Sequence, residues 1–176
     1  ADAQHDVFIL AGGGEETLAL SFSNHGFRCV EITGLRSAPR PEDICSVVVH
    51  SPVLAATRFN CSHPLINRLH DLTAWSMRTN LLSVPTDCPH RERNGWLGDA
   101  LCVSEGESLL FDLAAFWDKW FTDLGDAQGI DGFIPDIVPF GVRPDRFDVP
   151  WQSAVVLVAW DHWQAAGDLD FLRRHY

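Results

Sequence analysis

Positive charge is scarce in this chain. Its 176 residues contain 13 Lys and Arg against 24 Asp and Glu, so the formal net charge is −11 at pH 7. Phosphate backbones and anionic lipid surfaces bind proteins through clustered Lys and Arg. We therefore expect neither nucleic acid nor a membrane as a partner, and a neutral ligand fits the charge balance better.

Long apolar runs are also missing. No apolar stretch reaches the roughly 18 residues that a membrane helix needs, and no basic N-terminal segment leads into an apolar signal core. We expect a soluble protein without an export address, which leaves cytoplasmic and exported locations both open.

Cysteine and histidine occur without the spacing of a metal site. The five cysteines are odd in number and form neither a C-x-x-C motif nor a cluster with histidine. We expect reduced, mostly buried thiols, no structural or catalytic metal, and no cofactor. The cysteines are Cys29, Cys45, Cys61, Cys88 and Cys102.

The pattern of the chain changes near residue 60. Residues 1–60 contain short runs rich in Val, Ile, Phe and Thr that are broken by Gly and Pro, which predicts a β-rich module with antiparallel strands. Residues 61–176 have helical periodicity instead. With 46% hydrophobic residues, the chain can bury a real core.

Three helices are predicted in the first part of the helical region. The first begins after Ser62 and ends before Pro85, and the second runs from residues 96–98 to about Leu110. The third spans the apolar positions 113–124, with Asp112 as N-cap and Gly125 beyond its end.

The C-terminal part of the sequence indicates a missing environment. Residues 129–150 are too rich in Pro and Gly for a regular element, and a loop of that length is usually functional. Residues 151–166 form a helix that is apolar on nearly every face, and Asp168 caps a further helix. The other predicted helices are too few to surround the apolar helix at 151–166. We therefore expect the chain to be a fragment of a larger helical domain, whose exposed helix faces permit self-association.

The stretch "TDCPHRERNGWLGDA", residues 86–100, concentrates charge and one large aromatic on a bent connection into a helix. Paired carboxylates such as Asp87, Glu92 and Asp99 suit glycosidic cleavage, in which one group protonates the leaving oxygen. An indole such as Trp96 stacks on a sugar face. The same residues also fit a surface ion-pair network with a buried tryptophan, and spacing alone leaves both interpretations open.

This stretch resembles the signature segment of bacterial α-L-rhamnosidases, inverting glycosidases with an (α/α)6 barrel. The resemblance covers residues 5–176 and includes "HGFRCVEITG", "FNCSHPLINRLHD", "FWDKWFTDLGDAQ" and "DGFIPDIVP". It implies an α+β fragment in which the end of a β-sandwich module (1–60) precedes the first helices of an incomplete barrel (61–176). The implied activity is removal of terminal α-L-rhamnose from glycosides or polysaccharides.

The resemblance also implies residue roles. Glu92 matches the general acid of the family, the group that protonates the leaving oxygen. The residues that match rhamnose-binding positions are Asp87, Arg91, Trp96, Asp99 and Trp151.

Two departures from the family pattern are informative. The family commonly has W-G-D-A where this chain has "WQSA", which puts the contact of that acidic position in doubt at Ser153. The general base of the family is a glutamate on a later helix, beyond residue 176, so we expect the isolated chain to be inactive. Asp136 and Asp148 are interpreted as structural loop or cap residues.

Two alternative functions stay open at this point. One is a non-catalytic carbohydrate-binding or scaffold module, which would keep the tryptophans but would not need Glu92 beside Asp87 and Asp99. The other is a different (α/α)6-barrel glycosidase that acts on glucosyl or glucuronyl units.

Overall fold

The computed structural model describes residues 4–139 and 148–175 and divides into two compact units, Ala1–Val48 and Val49–Tyr176. The predicted domain boundary near residue 60 stays a prediction. Much of the 129–150 segment, namely residues 140–147, lies outside the described residues.

The first unit is extended over its described residues. It contains one 3₁₀ turn, Pro41–Asp43, which the Arg40–Asp43 ion pair closes at 2.6 Å. The "GGGEE" segment forms a turn in which Glu16 accepts the N–H groups of Ala11 and Gly12. Because a strand needs a neighbour for its backbone groups, the strands predicted here are extended but unpaired among residues 4–48.

The second unit is mainly helical. Two short antiparallel pairs fix its connections: β1 with β4, and β2 with β3. The strands are β1 Leu54–Ala55, β2 Leu81–Leu82, β3 Val84–Pro85 and β4 Phe111–Asp112. The helices are α1 Pro64–Arg78, α2 Leu97–Leu110, α3 Ala114–Ala127, α4 Val149–Gln152, α5 Ala154–Ala166 and α6 Leu169–His175.

Most helix predictions are confirmed, with corrections at the ends. The first two predicted helices correspond to α1 and α2, and Asp168 caps α6 by accepting the N–H of Phe171 at 2.8 Å. In α3 the N-cap position is Leu113, and Gly125 lies inside the helix rather than beyond its end. The helix therefore begins one residue later than predicted, and the Asp112 carboxylate still accepts the N–H of Ala114 at 3.2 Å.

The core is built around α2, α3 and α5. The helical spacing of Trp117 and Trp120 predicts core positions, and both side chains are fully buried. The Ser104 hydroxyl of α2 donates to the Asp161 carboxylate of α5 and joins the two helices. The helical spacing of Trp75 and Trp160 also predicts core positions, but each is about half exposed, because periodicity predicts a shared face and not what covers it.

Two helices present uncovered apolar faces in this chain. None of the fifteen residues of α1 is buried. On α5 the side chains of Val156, Leu157 and Trp160 are exposed, whereas the sequence predicted burial on nearly all sides. Self-association through such faces stays a prediction. Among the described residues, no helix combines the length and apolar character needed to cross a membrane.

Two acids of this unit are buried among the described residues, Glu107 and Asp136, and Glu107 is the more deeply buried. Glu107 of α2 is 1% exposed, and its Oε2 has no hydrogen-bond partner among the described residues. Burial raises the pKa of Glu107 from an ordinary 4.5 to about 8, because the charged form loses its hydration. The folded protein therefore retains this proton at pH values where the unfolded chain releases it.

We expect Glu107→Gln to change the pH dependence of stability. The parent's free energy of unfolding should fall as the pH rises from about 4.5 to about 8, by at most about 1.4 kcal/mol per pH unit from this group. The variant lacks this titration, so its melting temperature relative to the parent should rise over that range. Thermal unfolding of both proteins at several pH values measures the difference.

The exposed neighbour Glu105 on the same helix provides a matched control. Its Gln variant should follow the parent at every pH. A constant offset between Glu107→Gln and the parent across the range would show that Glu107 is ionised in the folded protein.

Candidate active site

The charged segment before α2 is a closed loop. Asp87 and Asn94 hold its ends: the Asp87 N–H donates to the Asn94 carbonyl at 3.1 Å, and the Asn94 N–H donates to Asp87 Oδ1 at 2.8 Å. Within the loop, the Glu92 N–H donates to Cys88 Sγ at 3.1 Å. These bonds fix the position of Glu92 relative to Asp87.

The Glu92 carboxylate is held at both oxygens. Arg91 Nη2 donates to Oε1 at 2.7 Å, and Trp96 Nε1 donates to Oε2 at 3.0 Å. The Glu92 side chain is 37% exposed, so the group is oriented by its neighbours but still reachable from solvent. The interpretation as a surface ion-pair network predicts an Arg91–Glu92 ion pair, and this pair is present. The same carboxylate also accepts the indole N–H of Trp96.

A second chain segment pairs with the residues that follow Glu92. The Leu97 N–H donates to the Asp136 carbonyl and the Val138 N–H donates to the Gly95 carbonyl, both at 2.9 Å. Gly95 permits this contact, since a Cβ there would lie 2.0 Å from the Val138 oxygen. The pairing brings the 136–138 segment against the start of α2.

These elements surround a cavity of about 500 Å³, called the acidic cavity below. Its lining residues are Asp87, Arg91, Glu92, Trp96, Asp99, Asp136, Asp148 and Trp151. All six residues singled out from the sequence line it, although Trp151 lies far along the chain from the others. Their individual roles stay predictions.

Two further acids, Asp136 and Asp148, line the acidic cavity. The sequence predicts only structural loop or cap roles for them. Asp136 is 4% exposed, and its Oδ1 accepts the Asp148 N–H at 3.1 Å. This bond ties the start of α4 to the paired segment. Asp136 lies between the apolar residues Ile134 and Val138, which are both buried. A charged residue within such an apolar segment is a sequence signal for a special role.

Trp151 separates the acidic cavity from a larger one. It lines both, and the larger cavity, of about 690 Å³, also contains Asp87 and Asp99 in its wall. The neighbouring Gln152 side chain anchors α4 by donating to the Ile134 carbonyl at 2.6 Å. The family commonly has an acid at the position of Ser153. In this chain the Ser153 hydroxyl donates to the Pro150 carbonyl at 2.6 Å and stabilises the local turn.

The acids of this cavity affect one another. The pKa of Asp99 is raised above its ordinary value by burial first, and then by the negative charges of Asp87 and Glu92. Within the described residues, no group of three or more His, Cys, Asp or Glu side chains is arranged to hold a metal ion. The arrangement instead presents several hydrogen-bond acceptors and two indole rings around a space of sugar size.

We expect Asp87→Asn to lower the pKa of Asp99. The substitution removes one of the charges that oppose ionisation, while the amide oxygen can still accept the Asn94 N–H. Carboxyl ¹³C NMR titration of Asp99 in the parent and the variant measures the shift. Asp126→Asn, on α3 and outside the causes of the Asp99 shift, is the control. An unchanged Asp99 titration in Asp87→Asn would mean that the charge of Asp87 does not contribute to the raised pKa.

Comparison with known proteins gives consistent relatives. An α-L-rhamnosidase of Streptomyces avermitilis is 38% identical over 171 residues, which cover 97% of this chain and 17% of that protein. The solved α-L-rhamnosidase of Dictyoglumus thermophilum has a TM-score of 0.74 and 38% identity over 80% of this chain and 16% of that one. The Streptomyces avermitilis α-L-rhamnosidase solved with L-rhamnose has a TM-score of 0.68 and 36% identity, over 72% of this chain and 12% of that one.

Two family models together cover nearly the whole chain. Residues 1–50 match the bacterial α-L-rhamnosidase concanavalin-like domain, and residues 55–176 match the bacterial α-L-rhamnosidase 6 hairpin glycosidase domain. The predicted order, a β-module followed by the opening helices of an α/α barrel, is therefore confirmed. The chain spans less than a fifth of the length of the relative from Streptomyces avermitilis. On this match, the chain belongs to the bacterial α-L-rhamnosidase family.

Proposed function

We propose that this chain is part of a longer α-L-rhamnosidase that removes terminal α-L-rhamnose with inversion, and that Glu92 is its general acid. The observation that carries the proposal is the acidic cavity, in which the Glu92 carboxylate, oriented by Arg91 and Trp96, lies among all the other residues assigned to sugar binding. The names of the relatives support the substrate class. Residues 61–176 then supply the first part of the catalytic domain.

The proposed reaction has two partners on opposite sides of the sugar. Protonated Glu92 donates its proton to the glycosidic oxygen, and the aglycone leaves as an alcohol. A water molecule loses a proton to the general base and attacks the anomeric carbon from the opposite face, which gives the β-anomer. Asp87 and Asp99 accept hydrogen bonds from ring hydroxyls, while Trp96 and Trp151 provide apolar surface and exclude water.

We assign the general base to a residue outside this chain. Among the described residues, Asp136 and Asp148 are the cavity acids without another assigned role. Asp136 is buried and already accepts the Asp148 N–H, so it is committed to holding the segment in place. Inversion also requires the base at about 6.5–9.5 Å from the acid, across the sugar.

The charge of the cavity favours a neutral sugar over a uronic acid. Eight described residues line the cavity, of which five are acids and one, Arg91, is a base. A carboxylate on the substrate would therefore meet repulsion from several sides. The glucuronyl alternative is less well supported than rhamnose for this reason, whereas the carbohydrate-binding alternative differs only in the role of Glu92.

We expect Glu92→Gln in the full-length protein to lower kcat by roughly 10²- to 10⁴-fold, with a KM close to that of the parent. Gln retains an oxygen that can accept from Trp96 but cannot donate the catalytic proton. The loss should be larger for an alkyl rhamnoside than for a nitrophenyl rhamnoside, because the nitrophenolate leaves without protonation. Steady-state kinetics on both substrates measure the effect.

Glu105→Gln, exposed on α2, is the matched control and should keep the parent's kinetics. Near-normal turnover of the alkyl rhamnoside by Glu92→Gln would remove Glu92 from the acid role.

A screen of the full-length protein distinguishes the three candidate functions. Nitrophenyl α-L-rhamnoside should be cleaved, and the corresponding glucuronide should be cleaved at least about 100-fold more slowly because of the charge repulsion. Release of nitrophenol and calorimetric binding of rhamnose are measured on the same preparation. Rhamnose binding without any cleavage would favour the carbohydrate-binding module, and preferred cleavage of the glucoside or glucuronide would favour the other glycosidase.

A further inference from the structure

Gly98 lies directly beneath the indole of Trp151. It is the second residue of α2, and a Cβ built on it would lie 2.4 Å from Cε2, 2.6 Å from Cδ2 and 2.7 Å from Nε1 of that indole. Carbon atoms in ordinary contact are about 3.5–4.0 Å apart. The space that any other residue would give to its side chain is therefore occupied by the Trp151 ring.

The backbone itself does not require glycine at this position. Gly98 is helical and is absent from the residues with positive φ, so any L-residue could adopt its conformation. Glycine inside a helix costs about 1 kcal/mol relative to alanine. Gly125 of α3 differs, because no atom lies within 4 Å of its built Cβ. The close approach of Trp151 is thus the feature that distinguishes Gly98.

The start of α2 cannot move away to admit a side chain. Leu97, which precedes Gly98, and Ala100, two residues after it, are fully buried. The Leu97 N–H is bound to the Asp136 carbonyl at 2.9 Å, and the Ala100 N–H to the Trp96 carbonyl at 3.2 Å. Trp151 has more freedom, since it belongs to the four-residue helix α4 and borders open cavities on both sides.

We propose that Gly98 is a positioning residue for the sugar site, which sets the depth at which Trp151 enters the acidic cavity. A side chain at position 98 would push the indole off α2 and change the width of the cavity between Trp151 and Asp99. The proposal rests on the proposed function in treating Trp151 as a wall of the sugar pocket. Its structural part concerns the position of the indole and is independent of catalysis.

The test uses the full-length protein with Gly98→Ala, Trp151→Ala and the double variant. Gly98→Ala should lower kcat/KM for nitrophenyl rhamnoside by roughly 10- to 100-fold, mainly through KM, because a misplaced wall weakens sugar binding. In the Trp151→Ala background, adding Gly98→Ala should change kcat/KM by less than about 2-fold. Gly125→Ala is the control and should leave the kinetics unchanged.

Crystal structures of the sugar-free parent and Gly98→Ala give a readout that does not depend on activity. The Trp151 ring should be displaced in the variant while Leu97 and Ala100 stay in place. If Gly98→Ala fails to fold, the double variant should fold, since removing the indole restores the space.

Three outcomes would overturn the inference: an unmoved Trp151 ring in Gly98→Ala, losses from the two substitutions that multiply in the double variant, or a double variant that also fails to fold. An inactive parent would contradict the proposed function instead, and the displaced ring would still support the role of Gly98.

Discussion

The candidate site depends on the backbone pairing between residues 95–97 and 136–138. Two hydrogen bonds of 2.9 Å form this pairing, and it exists because Gly95 leaves room for the Val138 carbonyl. The same carbonyl accepts the buried Trp120 Nε1–H at 3.1 Å, so the pairing is joined to the core through α3. Asp136 reaches the acidic cavity as a result, and through Asp136 the start of α4 is held beside the charged loop. Each wall of the cavity is thus connected to a buried element.

The acidic cavity concentrates acceptors and leaves most donors to its ligand. Carboxylates brought together without counterions repel one another, and this repulsion adds to burial, the larger cause, in raising the pKa of Asp99. A sugar is a suitable partner because each hydroxyl donates a hydrogen bond without bringing a charge. Among the described lining residues the guanidinium of Arg91 is the single one, and it is already paired with Glu92. The cavity therefore holds several carboxylates that repel one another, and a neutral ligand rich in hydroxyl groups can stabilise them by donating hydrogen bonds.

The sequence predicted the helical elements and most cavity residues, but for different reasons. Helical periodicity locates α1 and α2 because burial repeats with the helix turn. The cavity residues came from resemblance to a family, since the spacing of Asp87, Glu92 and Asp99 alone also fits an ion-pair network. Asp136 and Asp148 were interpreted as loop or cap residues, and no local pattern predicted that they also line the cavity, because backbone pairing between distant segments brings them there. The close contacts of Gly95 with Val138 and of Gly98 with Trp151 were not predicted either. In a sequence, a glycine that leaves room for a neighbouring group cannot be distinguished from one that forms a turn.

Helix α1, which has no buried residue, should unfold locally more easily than α2 and α3. An isolated helix of fifteen residues is marginal in water, and helices in proteins gain most of their stability from tertiary packing. Because α1 has no buried residue, little free energy opposes its local unfolding, whereas α2 and α3 must expose core side chains to unfold. Backbone amides of α1 therefore exchange their hydrogens with solvent before those of the other two helices. Leu69, Leu72 and Met77 of α1 line the larger cavity, and this wall is accordingly expected to open before the wall that α2 forms.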